Sequence, residues 1–190
     1  MPSRVGVVAI QGDFQKHVES LQRAGIAPSQ ISLLRTADDL EGVGRAIIPG
    51  GESTTTGLLM QRFGLGDALK ERAQGGMPLW GTCMGMILMA REVCEREQYT
   101  LGVLDIAVVR NAFGAQVHSF EAPVQFKGFD EPVTGVFIRA PVATELGPGV
   151  EILAEVEGQV VAVREGNRIG TSFHPELTDS TVLHEWFLKL

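Results

Sequence analysis

A chain of 190 residues with 44% apolar and 21% charged residues has an ordinary globular composition and can bury a sizeable core as one domain. A formal net charge of −7 excludes nucleic-acid binding through a basic surface. No stretch nears the ~18 apolar residues of a membrane span, the N-terminus Met1–Ile10 lacks the build of a secretory leader, and the two cysteines, Cys83 and Cys94, are no disulfide framework, so the expected setting is the reducing cytoplasm.

Taken in order, the chain alternates strands and helices. Arg4–Ile10 is a short β-branched apolar run and predicts a buried strand. Phe14–Ala24 carries Phe14, Val18 and Leu21 at helical spacing, and Gly25 stops it. Ile31–Leu34 and Arg45–Ile48 predict further strands, and Thr54–Phe63 and Asp67–Ala73 helices. Met77–Trp80 predicts a buried strand, followed by a helix from Cys83 to Arg91. Short apolar strands alternating with helices imply a parallel sheet covered on both faces. Beyond Gly102 the texture becomes strand-rich: Val103–Val109, Ala122–Phe126, Val133–Ile138, Glu151–Val156, Val160–Arg164 and Arg168–Ser172, with Gly158 and Gly166-Asn167 as turns. That half predicts mixed or antiparallel sheet, and a helix over Ser180–Leu188 closes the chain. The fold class is therefore α/β, a single domain over 1–190 with a mostly parallel central sheet flanked by helices and additional mixed strands in the C-terminal half.

Gly81-Thr82-Cys83-Met84-Gly85 frames one cysteine where a strand gives way to a helix. In an open α/β sheet, function sits beyond the carboxyl ends of the strands. Gly-x-Cys-x-Gly is the cysteine form of the nucleophile elbow, whose sharp turn demands small neighbours. The helix N-terminus favours the thiolate. Its free N–H groups, beginning with Met84, can receive an oxyanion. A lone cysteine reads first as a buried structural residue, but the glycine frame and the junction favour a nucleophile. Cys94 has no such frame and is expected to be structural.

A nucleophilic thiol needs a base, and the chain offers four histidines. His17 and His184 fall on predicted helices among charged residues and are expected to be solvated. His118 falls in a polar loop. His174 follows a strand end, in Thr171-Ser172-Phe173-His174-Pro175-Glu176. Pro175 biases His174 toward extended geometry, where residues i and i+2 share a side, so Glu176 can reach the imidazole and fix its tautomer. Cys83, His174 and Glu176 form the expected catalytic set.

Pro49-Gly50-Gly51-Glu52-Ser53-Thr54-Thr55-Thr56-Gly57 also joins a strand to a helix. Its glycines expose backbone N–H groups, and Ser53 or Thr54 can cap the helix. It is no Walker A loop, lacking the lysine. A phosphate nest and an oxyanion hole beside Cys83 fit it equally, and a plain capping turn is the simpler alternative.

Together with Arg110-Asn111-Ala112-Phe113-Gly114 and Phe173-His174-Pro175-Glu176-Leu177-Thr178, these segments resemble the class I glutamine amidotransferases. More closely, the chain resembles the glutaminase subunits of pyridoxal 5′-phosphate synthase (the PdxT/SNO family), from Gly6-Val7 to the last helix. The elbow and His-Pro-Glu belong to the wider class, while Gly-Gly-Glu-Ser-Thr-Thr and Arg-Asn-Ala-Phe-Gly are more specific. The resemblance implies that Cys83 attacks the side-chain amide of L-glutamine, that His174 protonates the departing ammonia, and that water releases glutamate from a thioester. It implies glutamine contacts at Gly50, Gly51, Glu52, Ser53, Arg110, Ile138 and Arg139. Gly51 and the Met84 N–H would form the oxyanion hole, with Gln11 at the edge that responds to a partner. That partner is a separate PdxS/SNZ-like synthase subunit, which receives the ammonia to build pyridoxal phosphate from a pentose phosphate and a triose phosphate. No metal and no bound cofactor are implied. Met84 stands where Ala is common, Ala115 where Arg is usual and His118 where Asp is frequent. The rival readings are a glutaminase subunit of another ammonia-using synthase and a non-catalytic member of the same fold.

Overall fold

The structure, a computed structural model, describes residues 3–113 and 119–190. Gly114, Ala115 and His118 lie outside the described residues, so the expectations attached to them have no structural counterpart.

The first half runs β1 (Arg4–Val8), α1 (Phe14–Arg23), β2 (Ile31–Leu34), β3 (Val43–Ile48), α2 (Ser53–Arg62), α3 (Leu65–Gln74), β4 (Leu79–Thr82) and α4 (Met84–Met89). The rest runs β5 (Ala90–Val93), β6 (Leu104–Val109), β7 (Ser119–Val124), β8 (Val133–Ile138), β9 (Val142–Leu146), β10 (Glu151–Val156), β11 (Gln159–Glu165), β12 (Arg168–Thr171) and α5 (Val182–Phe187). Among the described residues, one ten-stranded sheet has the order β2-β1-β3-β4-β12-β11-β9-β6-β5, with β10 beside β11, while β7 and β8 pair as a separate hairpin. From β2 to β12 every pairing is parallel. β12, β11, β9 and β6 pair antiparallel, and β5 returns to parallel against β6.

The alternation along the strands explains the two cores. In β3, Ala46 and Ile48 face one way and Ile47 the other; in β4, Leu79 and Trp80 divide likewise. One face packs with Met60, Leu65, Leu69, Met86 and Leu88 from α2, α3 and α4. The other packs with Leu21 of α1 and with Leu183 and Phe187 of α5. Each fully buried large side chain contributes about 1.5–3 kcal/mol relative to exposure, so both layers hold the sheet.

Two strands were not legible in the sequence. The helix after Cys83 stops at Met89, and Ala90–Val93 becomes an edge strand. Only Ala90 and Val93 of it are buried, so a polar edge strand carries no apolar alternation. Val142–Leu146 is similarly short, and it meets β11 through a single registered pair, Val160 with Ala143.

Candidate active site

The elbow is as tight as its glycines suggest. Cys83 sits at φ 49°, ψ −106°, between β4 and α4. Such a conformation in a non-glycine residue stores strain that the surroundings must hold. The Cys83 N–H donates to Thr171 O at 2.7 Å, tying the elbow residue to β12. A Cβ on Gly81 would lie 2.4 Å from the backbone of Gly85, and one on Gly85 would lie 2.0 Å from Ile48 O. The glycines are therefore required by close approach of strand, turn and helix. The thiol is 7% exposed and donates to Ile138 O at 3.8 Å. α4 has only six residues, all buried, so its N–H groups matter here more than a long helix dipole.

His174 and Glu176 are both buried. The His174 N–H donates to Val136 O of β8 at 2.8 Å, which fixes the backbone. Its Nδ1 donates to Glu176 Oε1 at 2.7 Å, which leaves Nε2 outside that bond. Burial works against the imidazolium, but hydrogen bonding and charge from Cys83 and Glu176 outweigh it and push His174 up to about 10. Burial likewise opposes ionisation of Glu176, yet His17 and His174 hold its carboxyl below the ordinary range. The reach of Glu176 differs from expectation: Pro175–Leu177 is a 3-10 turn rather than an extended segment, and the turn brings the carboxylate under the ring. Asp13 Oδ2 lies 4.0 Å from His174 Nδ1. Asp13, His174 and Glu176 are close enough to share a cation, but a metal on Nδ1 would have to displace the proton given to Glu176.

The glycine loop lies against the same ring. A Cβ on Gly50 would meet His174 Cε1 at 2.3 Å, and one on Gly51 would meet Gln11 Oε1 at 2.5 Å. Gln11 Oε1 accepts from the Glu52 N–H at 2.9 Å and from Thr56 Oγ1 at 3.1 Å, latching the loop after β1 to the loop after β3. The helix cap is Glu52, not Ser53 or Thr54: its carboxylate accepts from Thr54 N at 3.0 Å and Thr55 N at 2.7 Å. Despite some desolvation, those backbone bonds bring Glu52 down to about 2. Ser53 is the first helical residue, and its Oγ donates to Gln98 Oε1 at 3.2 Å.

The opposite wall comes from the mixed half. Arg110 follows β6, and its N–H donates to Glu95 Oε1 at 2.8 Å. The Ala112 N–H donates to Ala140 O at 3.1 Å, drawing the Arg110 turn beside Ile138 and Arg139. Arg139 and Asn111 both adopt positive φ, 47° and 50°. Phe137 stacks on Phe120 and packs against Phe113 and Phe173, fastening the β7–β8 hairpin to the segment that carries His174.

A family model described as the SNO glutamine amidotransferase family matches residues 7–190. The chain belongs to this family. It is similar to the pyridoxal 5′-phosphate synthase subunit PdxT of Thermus thermophilus, 50% identical over 188 residues and covering 98% of this chain and 96% of that one. The protein of the same name from Pyrococcus furiosus is 50% identical over 193 residues, covering 98% of each chain. Among solved structures, one described as a glutamine amidotransferase superposes with a TM-score of 0.92 at 47% identity, covering 97% of both chains. The structure of PurLQS from Thermotoga maritima shares the fold, with a TM-score of 0.67 at 20% identity over 100% of this chain and 99% of that one.

In this SNO amidotransferase, two histidines depart from the sequence expectation. His17 and His184 are both fully buried, not solvated. His17 Nε2 lies 3.0 Å from Thr82 Oγ1, and its Nδ1 lies 3.0 Å from His184 Nε2. The physical reason is their helical phase. His17 stands between Phe14 and Leu21 at spacings of three and four on the inward face of α1, and His184 lies between the buried Leu183 and Phe187. That spacing was the available signal. Cys94, expected to be structural, is exposed and sits 3.8 Å from Thr144 Oγ1.

Proposed function

We propose that Cys83, His174 and Glu176 hydrolyse L-glutamine to L-glutamate and ammonia, and that residues 1–190 form one glutaminase unit serving pyridoxal 5′-phosphate synthesis. The observation that carries this reading is the buried His174–Glu176 bond at 2.7 Å, beside a Cys83 whose hydrogen bonding and charge raise His174. The thiolate attacks the amide carbon, and the C=O electron pair moves to oxygen. His174 Nε2 gives its proton to the amide nitrogen, the C–N bond breaks, and ammonia leaves a glutamyl thioester. Neutral His174 then takes a proton from water, whose oxygen attacks the thioester. Collapse expels the thiolate and frees glutamate.

The oxyanion would be received by the Met84 N–H, which has no intrahelical partner at the first position of α4, and by a donor of the Gly50–Gly51 loop. Gly50, Gly51, Glu52 and Ser53 on one side and Arg110, Ile138 and Arg139 on the other would line the glutamine. Glu52 is occupied as a cap, so its part would be to hold the loop rather than to bind through its carboxylate. The relatives named above are subunits of a synthase, which supports a hetero-oligomer in which a PdxS/SNZ-like subunit takes the ammonia. The reaction would run in the cytoplasm; no helix of the described residues is long and apolar enough to cross a membrane.

Gln11 holds the Glu52 N–H, so docking near Gln11 could reorient the glycine loop and complete the oxyanion hole. The test is glutamate release at saturating glutamine, with and without the synthase subunit. A rise in kcat on docking is expected, since one missing oxyanion donor costs roughly 10²–10³. A partner that lowered KM alone would be improving substrate binding instead.

A further inference from the structure

We propose that His17 and His184 are positioning residues of the glutaminase reaction: a buried imidazole pair that donates an N–H to the second oxygen of Glu176 and keeps that carboxylate ionised and aimed at His174. The proposal rests on the Cys83–His174–Glu176 reading above.

Glu176 uses only Oε1 on His174. Its Oε2 is buried and has no well-formed hydrogen bond among the described residues. A buried carboxylate with an unsatisfied oxygen tends to take up a proton, and a protonated Glu176 could not support an imidazolium. His17 Nε2 stands 3.4 Å from that oxygen, with both side chains fully buried.

Proton accounting decides which way the pair points. Burial dominates at both rings and keeps them neutral, His184 down to about 2, so each carries one N–H. With the His17 proton on Nδ1, it would donate to His184 Nε2 and force the His184 proton onto Nδ1. That nitrogen is buried and has no partner among the described residues. An orphaned donor would result, and the bare His17 Nε2 lone pair would face the carboxylate. With the His17 proton on Nε2, the His184 Nε2–H donates to His17 Nδ1, and the His17 N–H is shared between Thr82 Oγ1 and Glu176 Oε2. Only an acceptor lone pair on His184 is left over. The second arrangement is the stable one.

The charged and titratable groups facing the pair are Glu176, His174 and Asp13 around His17, and Arg23 with His17 around His184. Trp80 holds both rings from the sheet, at centroid distances of 6.0 and 5.1 Å, and is itself fixed by Nε1 donating to Thr171 Oγ1 at 3.0 Å. Thr82 directly precedes the nucleophile. The pair therefore joins α5, α1, the elbow strand and the acid of the triad.

The experiment is the pH profile of glutaminase kcat/KM for the chain assembled with its synthase subunit. The alkaline limb reports loss of the His174 proton in the free enzyme. His17→Asn keeps a polar group near Nδ1 but does not reach the Nε2 position, and His17→Phe removes both. Each should bring the alkaline limb down by about one pH unit, a tenfold change in that equilibrium. His17→Gln, whose amide reaches the Nε2 position, should return the limb to its parental place. His184→Phe should move it in the same direction as His17→Asn. Phe187→Leu, a packing change beside Trp80, should lower the height of the curve without moving the limb. Parental limbs in His17→Asn would overturn the proposal, as would equal displacement in Asn and Gln. If His17→Phe does not fold, the Asn and Gln pair still decides. Activity surviving in His174→Asn would instead sink the triad reading beneath it.

Discussion

The two halves of the sheet differ in what their strand ends can do. From β2 to β12 the strands run parallel, so the loops after β1, β3, β4 and β12 all leave at one edge, bringing Gln11, Gly50–Glu52, Cys83 and His174 together. From β12 to β6 neighbours run antiparallel, and consecutive ends leave at opposite edges. The C-terminal part of the chain supplies walls: the Ile138 carbonyl of the β7–β8 hairpin over the thiol, and the Arg110 turn after β6. Cys94, just after β5, is exposed. Strand direction decides which half is chemical, since only a parallel set gathers its carboxyl ends.

The sharpest way to break this comparison is to exchange the cysteines' fates. Cys83→Ala should abolish glutaminase activity, by analogy with nucleophile removal that costs about 10⁶ in a serine enzyme, while Cys94→Ala keeps most of it. Comparable activity in both, measured as glutamate release by folded variants, would end the assignment. Within the parallel half, His174→Asn should cost more than Glu176→Gln, whose loss is bounded near the roughly 10⁴ seen for an orienting acid. An equal or greater loss at Glu176 would mean that the roles are misassigned; an unchanged rate in Glu176→Gln would remove it from the proposed triad.

Stability separates the halves as well. Gly85→Ala should cost about 1–3 kcal/mol by overpacking against Ile48 O. Gly158, in the β10–β11 turn, has φ +74° and open space around it, so Gly158→Asn should cost less than about 1 kcal/mol. Urea midpoints of the two variants check this. The smallest effect is the dependence of melting on pH. His174 is raised from 6.5 to about 10 in the folded chain. Its contribution is complete below pH 6.5 and is lost as pH rises through about 10. The parent should therefore lose more melting temperature between neutral pH and pH 10 than His174→Asn does.

The parallel half and its site were largely legible in the sequence, because each strand end carried its own punctuation. Gly81 and Gly85 announced a close approach, whereas the extended reach that Pro175 predicted for Glu176 is a 3-10 turn. Ile31–Leu34, Val133–Ile138 and Glu151–Val156 stand where the sequence put them. What escaped depended on partners distant in the chain. The polar edge strand Ala90–Val93 is a strand only because β6 lies beside it. Glu52 is the cap in place of Ser53 because the helix already begins at Ser53, and the Glu52 carboxylate reaches forward to the N–H groups of Thr54 and Thr55. His17 and His184 look like surface residues when read beside their sequence neighbours. Their burial follows from the helical phase of α1 and α5, and their mutual contact could not be read from either helix alone.

The pairing of β4 with β12 also governs when the thiol becomes dangerous during biosynthesis. Trp80 and Thr171, which bond across that seam, are 91 residues apart along the chain. Such non-local pairings form late, after the cost of closing a long loop has been met. A nascent chain that has folded its first strands carries Cys83 without the carbonyl that receives its N–H, without His174 and without Glu176. Synthesis must run past Glu176 before Cys83 gains Thr171 O, His174 and Glu176, so under the proposed chemistry a chain that stops short of β12 is an inert one and releases no ammonia while it waits.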